Sequence, residues 1–399
     1  MVGRGPLRAG IGGLSGATLR TGSVLRQHNT AHRAGLNVGR VAPRPKDSRP
    51  ASAQQVWLLA GQSNMEGRGR LVDPGQVPDD RVWVLRGDRW AAASHPLHCT
   101  CPAELTSRCR AAASGPLVAG DHGPFQPGHG VGPGLAFGQA MAASASLVGL
   151  IPTAMAATTS WDWLPGRPGG LHEQACDAVE RAGSALTGVL WHQGESDALA
   201  EDLEGYCERT HRILDGFVGR LAHGTRIREI IVQAGRWTWS SAPPSSDTTW
   251  TRLREAQRRV AVRRRAPLVP TFDLPLGDAL HLASSAQAVL GHRLAAAAVG
   301  SEPTIVRRVA RSGSRTLLVH VAGLPQRGGP LRGLTWHLEV GTPVPGAITS
   351  AELCEEGVRV RLARDPAPGE GLCWAWGRDP AGCEGAPGLP AFGPLVPHA

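Results

Sequence analysis

Short apolar runs and amphipathic segments alternate between residues 55 and 300. The apolar runs have the length of buried strands and are, in chain order, VWLLAG at 56–61, RVWVL at 81–85, SLVGLIPTAM at 146–155, GVLWHQGE at 188–195, REIIVQAG at 228–235 and PLVPTFDL at 267–274. Apolar residues recur at helical spacing between them, at 134–145, 171–185, 203–222, 250–264 and 284–300. This alternation predicts one α/β domain with a parallel sheet covered by helices on both faces.

The sequence indicates an apolar face on one predicted helix and capping residues at the ends of two others. One apolar side of the helix at 203–222 contains Leu203, Tyr206, Ile213, Leu214, Phe217, Val218 and Leu221. Asp247, Thr248 or Thr249 is the predicted cap of the helix at 250–264, and the helix at 284–300 has a serine cap and a glycine stop. Residues 86–130 are rich in Gly, Pro and His without a period, which predicts a loop.

The pattern changes after residue 300. Short alternating runs separated by Gly and Pro predict a small antiparallel β module at 301–399, and they are TLLVHVAG, WHLEV, ITSAELC, VRVRLA and LCWAWG. Trp336, Trp374 and Trp376 in this module are candidates for sugar stacking or for packing in a β core.

The charge of the 399-residue chain is concentrated at its start. Residues 1–50 contain eight arginines and Lys46 against Asp47, so they carry +8 of the net charge of +9. We therefore expect no nucleic-acid partner for the folded part. Residues 1–54 have the composition of an organellar transit peptide or of a disordered tail, and no secretory signal is predicted. No apolar run is long enough to predict a membrane span.

The eight cysteines do not form a recognisable metal motif. The stretch HPLHCTCPAELTSRC at 95–109 offers two histidines and three cysteines, which leaves zinc, a loop disulfide and unpaired thiols open. Reduced thiols are the default in a chain without a secretory signal, and we expect no metal cofactor.

Polar motifs follow several predicted strands, which is where α/β enzymes place their chemistry. They are GQSNMEG at 61–67, WHQGESD at 191–197 and DALHL at 278–282, and a fourth motif, GVGPG at 130–134, opens a predicted helix. Ser63 can act as a nucleophile if His281 removes its proton, and Asp278 can hold the other ring nitrogen of that histidine. The backbone N–H of Ser63, Gly132 and the side chain of Gln193 are candidate oxyanion donors. Met65 excludes the GxSxG elbow of α/β-hydrolases.

The motifs as a set resemble the SGNH-type esterases of carbohydrate esterase family six, which include acetylxylan esterases and plant esterases with a sialate-O-acetylesterase-like domain. The resemblance covers residues 55–299 and rests on GQSNM, GVGPGLAFG, GLIPTA followed by SWDWLPG, WHQGESD and GDALHLASSAQAVLGHRLA. It implies a flavodoxin-like three-layer α/β/α SGNH hydrolase domain and a serine hydrolase without metal or other cofactor. Residues 99–128 and AMAATTSW at 154–161 depart from the family pattern near the expected site mouth.

The resemblance also implies roles for individual residues. It gives Ser63 as nucleophile, His281 as base, Asp278 as its partner, and Gly132 and Gln193 as oxyanion donors. Glu195 is implied either as a second carboxylate near the histidine or as an anchor for the turn at Gln193.

The expected activity is the removal of O-acetyl groups from a sugar or polysaccharide. The stretch at 371–397 resembles the end of sialate O-acetylesterases, which favours a β module packed on the esterase domain. Two alternatives stay open, a non-catalytic carbohydrate-binding protein on an esterase fold and a short-chain esterase of a small acetylated metabolite.

Overall fold

The apolar run that follows residue 54 forms the central strand of a seven-stranded sheet. The computed structural model describes residues 55–71, 79–98, 118–120, 123–125, 130–143, 147–300, 305–323, 334–338, 342–380 and 389–395. The strands before residue 300 are β1 (Gln55–Gly61), β2 (Val82–Arg86), β3 (Arg89–Ala92), β4 (Val118–Gly120), β5 (Gly123–Phe125), β6 (Val148–Pro152), β7 (Gly188–His192), β8 (Arg228–Gln233) and β9 (Leu268–Pro270). The helices are α1 (Ser63–Glu66), α2 (Gly134–Ala142), α3 (Leu171–Ala182), α4 (Glu195–Leu199), α5 (Tyr206–Leu221), α6 (Ser245–Arg264) and α7 (Ser284–Ala298).

The strand order in the sheet is β3-β2-β6-β1-β7-β8-β9, and every pair except β2–β3 is parallel. Successive side chains of β1 point to opposite faces, so Val56 and Leu58 enter one core while Trp57 and Leu59 enter the other. Helices α3 and α5 cover the first core, and α2 and α7 cover the second. The prediction of a three-layer α/β/α domain is confirmed.

The strands after residue 300 form two antiparallel four-stranded sheets. They are β10 (Ile305–Gly313), β11 (Thr316–Ala322), β12 (Leu334–Leu338), β13 (Thr342–Pro343), β14 (Ile348–Cys354), β15 (Gly357–Leu362), β16 (Glu370–Trp374) and β17 (Phe392–Leu395). The sheet orders are β10-β11-β15-β14 and β13-β12-β16-β17, and both contribute to one apolar core. Trp374 is buried in that core, whereas Trp376 is half-buried. The prediction of an antiparallel β module is confirmed, with Trp374 in a packing role.

Buried hydrogen bonds join the β module to the α/β domain. The side-chain amide of Gln233 makes two bonds with the backbone of Ala391, of 2.8 and 2.7 Å. Arg254 of α6 is 1% exposed and donates to the backbone carbonyls of Ala234 and Gly235 on one side and of Ala375 and Gly377 on the other. A charge of this kind is stable away from water only because its donors are paired.

Three local predictions about elements are wrong. The predicted loop at 86–130 contains β3, which pairs with β2 across the two-residue turn Gly87–Asp88, a dipeptide typical of hairpins. Helix α6 begins at Ser245 rather than after a cap at 247–249, and the carboxylate of Asp247 accepts the N–H of Arg378 instead. Helix α7 has no side-chain cap, because Ala283 occupies the cap position, and the hydroxyl of Ser284 donates to the carbonyl of Arg70.

Candidate active site

A sharp turn after β1 places Ser63 at the carboxyl edge of the sheet. Gly61 has φ of +123°, and a Cβ there would lie 2.0 Å from the carbonyl oxygen of His192 on the neighbouring strand β7. The N–H of Gln62 donates to that same carbonyl at 2.9 Å. Only glycine fits this approach, so the strand can end and α1 can begin at Ser63 within two residues.

The side chains of Ser63, His281 and Asp278 form a connected row. The Oγ of Ser63 lies 3.0 Å from Nε2 of His281, and Nδ1 of His281 lies 2.8 Å from Oδ2 of Asp278. The second oxygen of Asp278 accepts the backbone N–H groups of Leu280 and His281 at 2.8 and 2.7 Å. The tight turn 278–281 thus fixes both the carboxylate and the ring that it orients.

The hydrogen bonds that Asp278 accepts determine its ionisation and the position of the hydrogen on His281. Burial alone raises the pKa of the Asp278 carboxyl, but the charge of protonated His281 and three hydrogen bonds outweigh it, so the pKa lies below its ordinary value. An ionised carboxylate can only accept, so Nδ1 of His281 carries the hydrogen of that bond. In the neutral form of the ring, the hydrogen on Nδ1 leaves Nε2 with the lone pair that a general base needs, and this atom is the one next to the hydroxyl of Ser63.

Ser63 and Gly132 contribute two backbone N–H groups at the short helix α1. Ser63 is the first residue of α1, and its N–H has no acceptor within its own helix. Gly132 packs against the other end of α1, where a Cβ would lie 3.2 Å from the carbonyl oxygens of Met65 and Glu66. In the part of the chain that the structure describes, the N–H groups of Ser63 and Gly132 donate to no protein acceptor. Both can therefore serve as oxyanion donors.

The side chain of Gln193 is engaged elsewhere. Its Nε2 donates to the carbonyl of Thr158 at 2.6 Å and to Oδ2 of Asp197 at 3.3 Å, which uses both hydrogens of the amide. Its backbone carbonyl accepts the hydroxyl of Tyr206 at 2.7 Å. In this arrangement the amide holds the loop after β6 against α4, and the role of Gln193 as an oxyanion donor stays a prediction.

Glu195 reaches the nucleophile through Asn64. Its Oε1 accepts Nδ2 of Asn64 at 3.0 Å and lies 3.2 Å from Nε2 of His192, and the carboxylate is almost fully buried. The Oδ1 of Asn64 accepts the N–H of Leu282, the residue after the candidate base, at 3.0 Å. Of the two roles left open for Glu195, these contacts favour an anchoring role, with Asn64 rather than His281 as the partner that it holds.

The charge of Glu195 is set by these neighbours. Burial raises the pKa of its carboxyl, but the interaction with His192 and the hydrogen bond from Asn64 overcompensate and lower it to about 2. The carboxylate is therefore ionised at neutral pH. An ionised acceptor strengthens the bond from Asn64, which lies next to Ser63 in the chain.

A second buried carboxylate holds the SWDW turn at Ser160–Trp163. Asp197 accepts the N–H and the hydroxyl of Ser160 at 2.9 and 2.5 Å, and Arg209 lies 3.4 Å from it. Burial, the largest influence, raises the pKa of Asp197 to about 6 despite these donors. This network ties the loop after β6 to α4, beside the candidate nucleophile.

The loop that carries His281 rests on residues that the β module holds. The N–H of Thr238 donates to the carbonyl of Ala279 at 2.9 Å, inside the turn 278–281. The adjacent Trp237 packs in one cluster with Leu280, and its backbone N–H donates to the carbonyl of Arg378 at 2.8 Å. A guanidinium nitrogen of Arg378 returns a bond to the carbonyl of Trp237 at 3.1 Å.

Several of the cysteines and histidines considered as metal ligands lie outside the described residues. Cys99, Cys101, Cys109, Cys383 and most of the 99–128 segment are not described, while His95 and His98 are buried. The cysteines that the structure describes are free thiols, namely Cys176, Cys207, Cys354 and Cys373. Across the described ranges no group of three His, Cys, Asp or Glu side chains could hold a metal ion, and no helix is long and apolar enough to cross a membrane.

Sequence reasoning missed several supporting residues. Asn64 lies inside the GQSN motif, which was the available signal for it. Arg209 lies on the predicted apolar side of its helix and is 4% exposed, but a single arginine in a periodic pattern gives no sign of its partners. The role of Arg254 was equally hidden, because its acceptors in the β module, the backbone carbonyls of Ala375 and Gly377, are more than 100 positions away in the chain.

Comparison with known proteins shows which protein family this sequence matches. The family model described as carbohydrate esterase, sialic acid-specific acetylesterase matches residues 53–300. A probable carbohydrate esterase of Arabidopsis thaliana is 29% identical over 279 residues, which are 64% of this chain and 94% of that protein.

A solved structure is similar in fold. The structure of a carbohydrate acetylesterase from Xanthomonas citri superposes with a TM-score of 0.62 at 18% identity, covering 85% of this chain and 80% of that one. A superposition over 85% of the 399 residues extends beyond the residues that precede position 301. The shared fold therefore includes part of the C-terminal β module.

Proposed function

This chain belongs to the carbohydrate esterases of the sialic acid-specific acetylesterase family, and we propose that it removes O-acetyl groups from a carbohydrate through an acyl-enzyme on Ser63. The family consists of carboxylic ester hydrolases. The observation that carries the proposal is the row of two short contacts, from Ser63 Oγ to His281 Nε2 at 3.0 Å and from His281 Nδ1 to Asp278 at 2.8 Å.

The first half of the reaction forms the acyl-enzyme. The Oγ of Ser63 bonds to the acetyl carbon while its proton passes to Nε2 of His281. The carbonyl oxygen becomes an oxyanion, which the N–H groups of Ser63 and Gly132 stabilise. The ionised Asp278 stabilises the imidazolium. The bond to the sugar oxygen then breaks, and the proton on Nε2 moves to that oxygen.

The second half releases acetate. A water molecule gives its proton to Nε2 of His281 as its oxygen bonds to the acetyl carbon. The same two N–H groups stabilise the second oxyanion. The bond to Oγ then breaks, Ser63 regains its proton from His281, and acetate leaves. His281 therefore acts first as a base and then as an acid in each half of the reaction.

Covalent labelling with substrate ranking tests this proposal. A serine-directed fluorophosphonate should modify Ser63, located by peptide mass spectrometry, and asparagine in place of Asp278 should slow the labelling. Acetate release is then measured from acetylated xylan, O-acetylated sialic acid and p-nitrophenyl acetate. Faster turnover of an acetylated sugar than of the aryl ester supports a carbohydrate substrate.

The opposite results have defined meanings. A strong preference for p-nitrophenyl acetate would favour a short-chain esterase of small metabolites. Labelling of a serine other than Ser63, with turnover intact when Ser63 is blocked, would overturn the mechanism.

A further inference from the structure

Trp161 is half exposed, whereas the neighbouring Trp163 is fully buried. Its relative exposure is 50%, although the turn that carries it is fixed by buried groups. The indole Nε1 donates to Oδ2 of Asp202 at 2.7 Å, and the guanidinium carbon of Arg209 lies 4.3 Å from the ring centroid. One face of the ring is thus occupied by a cation, and the ring is held with its remaining surface toward solvent.

The support of this ring is built into the core. Arg209 is 4% exposed, and it also donates to the hydroxyl of Ser160 at 2.7 Å and to the carbonyl of Asp202 at 3.0 Å. A freely rotating surface tryptophan would not need such a buried clamp. The clamp removes the rotamer freedom that an incoming ligand would otherwise have to immobilise.

Trp161 lies on the same edge of the sheet as the candidate nucleophile. Ser160, its neighbour, bonds to Asp197 of α4, and the N–H of Ser196 in the same helix donates to Oε1 of Gln62 at 3.1 Å. Gln62 precedes Ser63 directly. Trp161 is therefore linked through α4 to the turn that carries the reacting hydroxyl, so the ring lies outside the Ser63–His281–Asp278 row and on the same side of the domain.

We propose that Trp161 is a stacking platform for a pyranose ring that adjoins the acetylated sugar. This inference rests on the esterase function proposed above. The face of an indole is electron-rich, and the C–H groups on one side of a pyranose are its natural partners. The carboxylates of Asp197 and Asp202 balance the charge of Arg209. The platform therefore recognises ring shape rather than charge.

Kinetics on substrates of increasing length test the platform. Acetylated xylose, xylobiose and xylotriose are compared with p-nitrophenyl acetate for the full chain and for W161A and W161F. For the di- and trisaccharide, W161A should raise KM by about three- to tenfold with kcat unchanged, and W161F should lie between. Acetylated xylose and p-nitrophenyl acetate should be turned over as in the parent protein. Because stacking does not depend on charge, the ratio of the KM of W161A to the KM of the parent protein should change little between 50 and 500 mM salt.

Two control variants localise the effect. W376A removes a half-buried tryptophan of the β module and should leave the KM for trisaccharide unchanged. D202A keeps the ring but removes its hydrogen bond, and it should raise KM less than W161A does. Thermal melting of all variants checks that the fold is retained.

The outcomes separate the two proposals. If the parent protein releases no acetate from any sugar ester, the proposed function fails whatever Trp161 does. If sugar esters are turned over and W161A leaves every KM unchanged, or slows p-nitrophenyl acetate equally, the platform alone is overturned. A larger effect of W376A than of W161A would likewise overturn it.

Discussion

Glu195 and Asn64 join the turn that carries the candidate nucleophile Ser63 to the loop that carries the candidate base His281. Oε1 of Glu195 accepts the Asn64 amide at 3.0 Å, and Oδ1 of the same amide accepts the N–H of Leu282 at 3.0 Å. Ser63 precedes Asn64, and His281 precedes Leu282. The distance between Oγ of Ser63 and Nε2 of His281 therefore depends on the side-chain amide of Asn64, which is hydrogen-bonded on both sides.

The two carboxylates of the site should differ in their effect on rate. D278N should lower kcat by about 10³- to 10⁴-fold, because an amide cannot fix the tautomer of His281 or balance its charge. E195Q should lower kcat by about tenfold or less, since glutamine still offers an oxygen to Asn64. Steady-state kinetics on one acetylated substrate checks both. A larger loss in E195Q would make Glu195 the partner of the base.

Acid should weaken the fold through Glu195. Its pKa is about 2 in the folded protein and 4.5 as an ordinary glutamate, so its ionisation stabilises the fold above pH 4.5. That stabilisation is lost as pH falls toward 2 and amounts to about 3 kcal/mol. Urea unfolding of the parent and of E195Q at pH 7, 4.5 and 3 should show a difference that shrinks with acid. A difference that stays constant would contradict this account.

Two glycines with positive φ should respond differently to alanine. G61A should abolish activity and destabilise the fold, because its Cβ would collide with the carbonyl of His192. G87A has φ of +62° and no atom near the added Cβ, so it should cost about 1 kcal/mol and leave kcat unchanged. Thermal melting and acetate release measure both. Normal turnover by G61A would show that the turn tolerates a side chain.

The β module should be inseparable from the esterase domain. R254M leaves the buried carbonyls of residues 234, 235, 375 and 377 without their donor and should destabilise the chain by about 3–5 kcal/mol. It should also lower kcat, because the segment after β8 supports Ala279. The matched control is R259A on the same helix. Arg259 is exposed, and its buried partner Glu255 keeps its hydrogen bonds from Arg258 and Gly393, so the change in stability should be less than about 0.5 kcal/mol. Equal stability of both variants would argue against a shared core.

The sequence predicted those strands and helices whose buried positions are visible in the pattern of apolar residues. The continuous apolar runs of β1, β6, β7 and β8 and the periodic apolar faces of α3 and α5 are visible in the sequence, and motifs at strand ends pointed to Ser63 and His281. Contacts between distant polar groups follow no period. The engagement of Gln193 with Thr158 and the clamp of Arg209 on Trp161 depend on how loops fold back, so the sequence could not reveal them.

Acetate release by S63A tests the central claim most directly. The full chain, S63A and the control S285A, which alters an exposed serine of α7, are assayed on acetylated xylan and p-nitrophenyl acetate. S63A should fold normally and turn over at least about 10³-fold more slowly, while S285A should match the parent. A folded S63A protein with a near-normal rate would remove Ser63 from the mechanism and contradict the account.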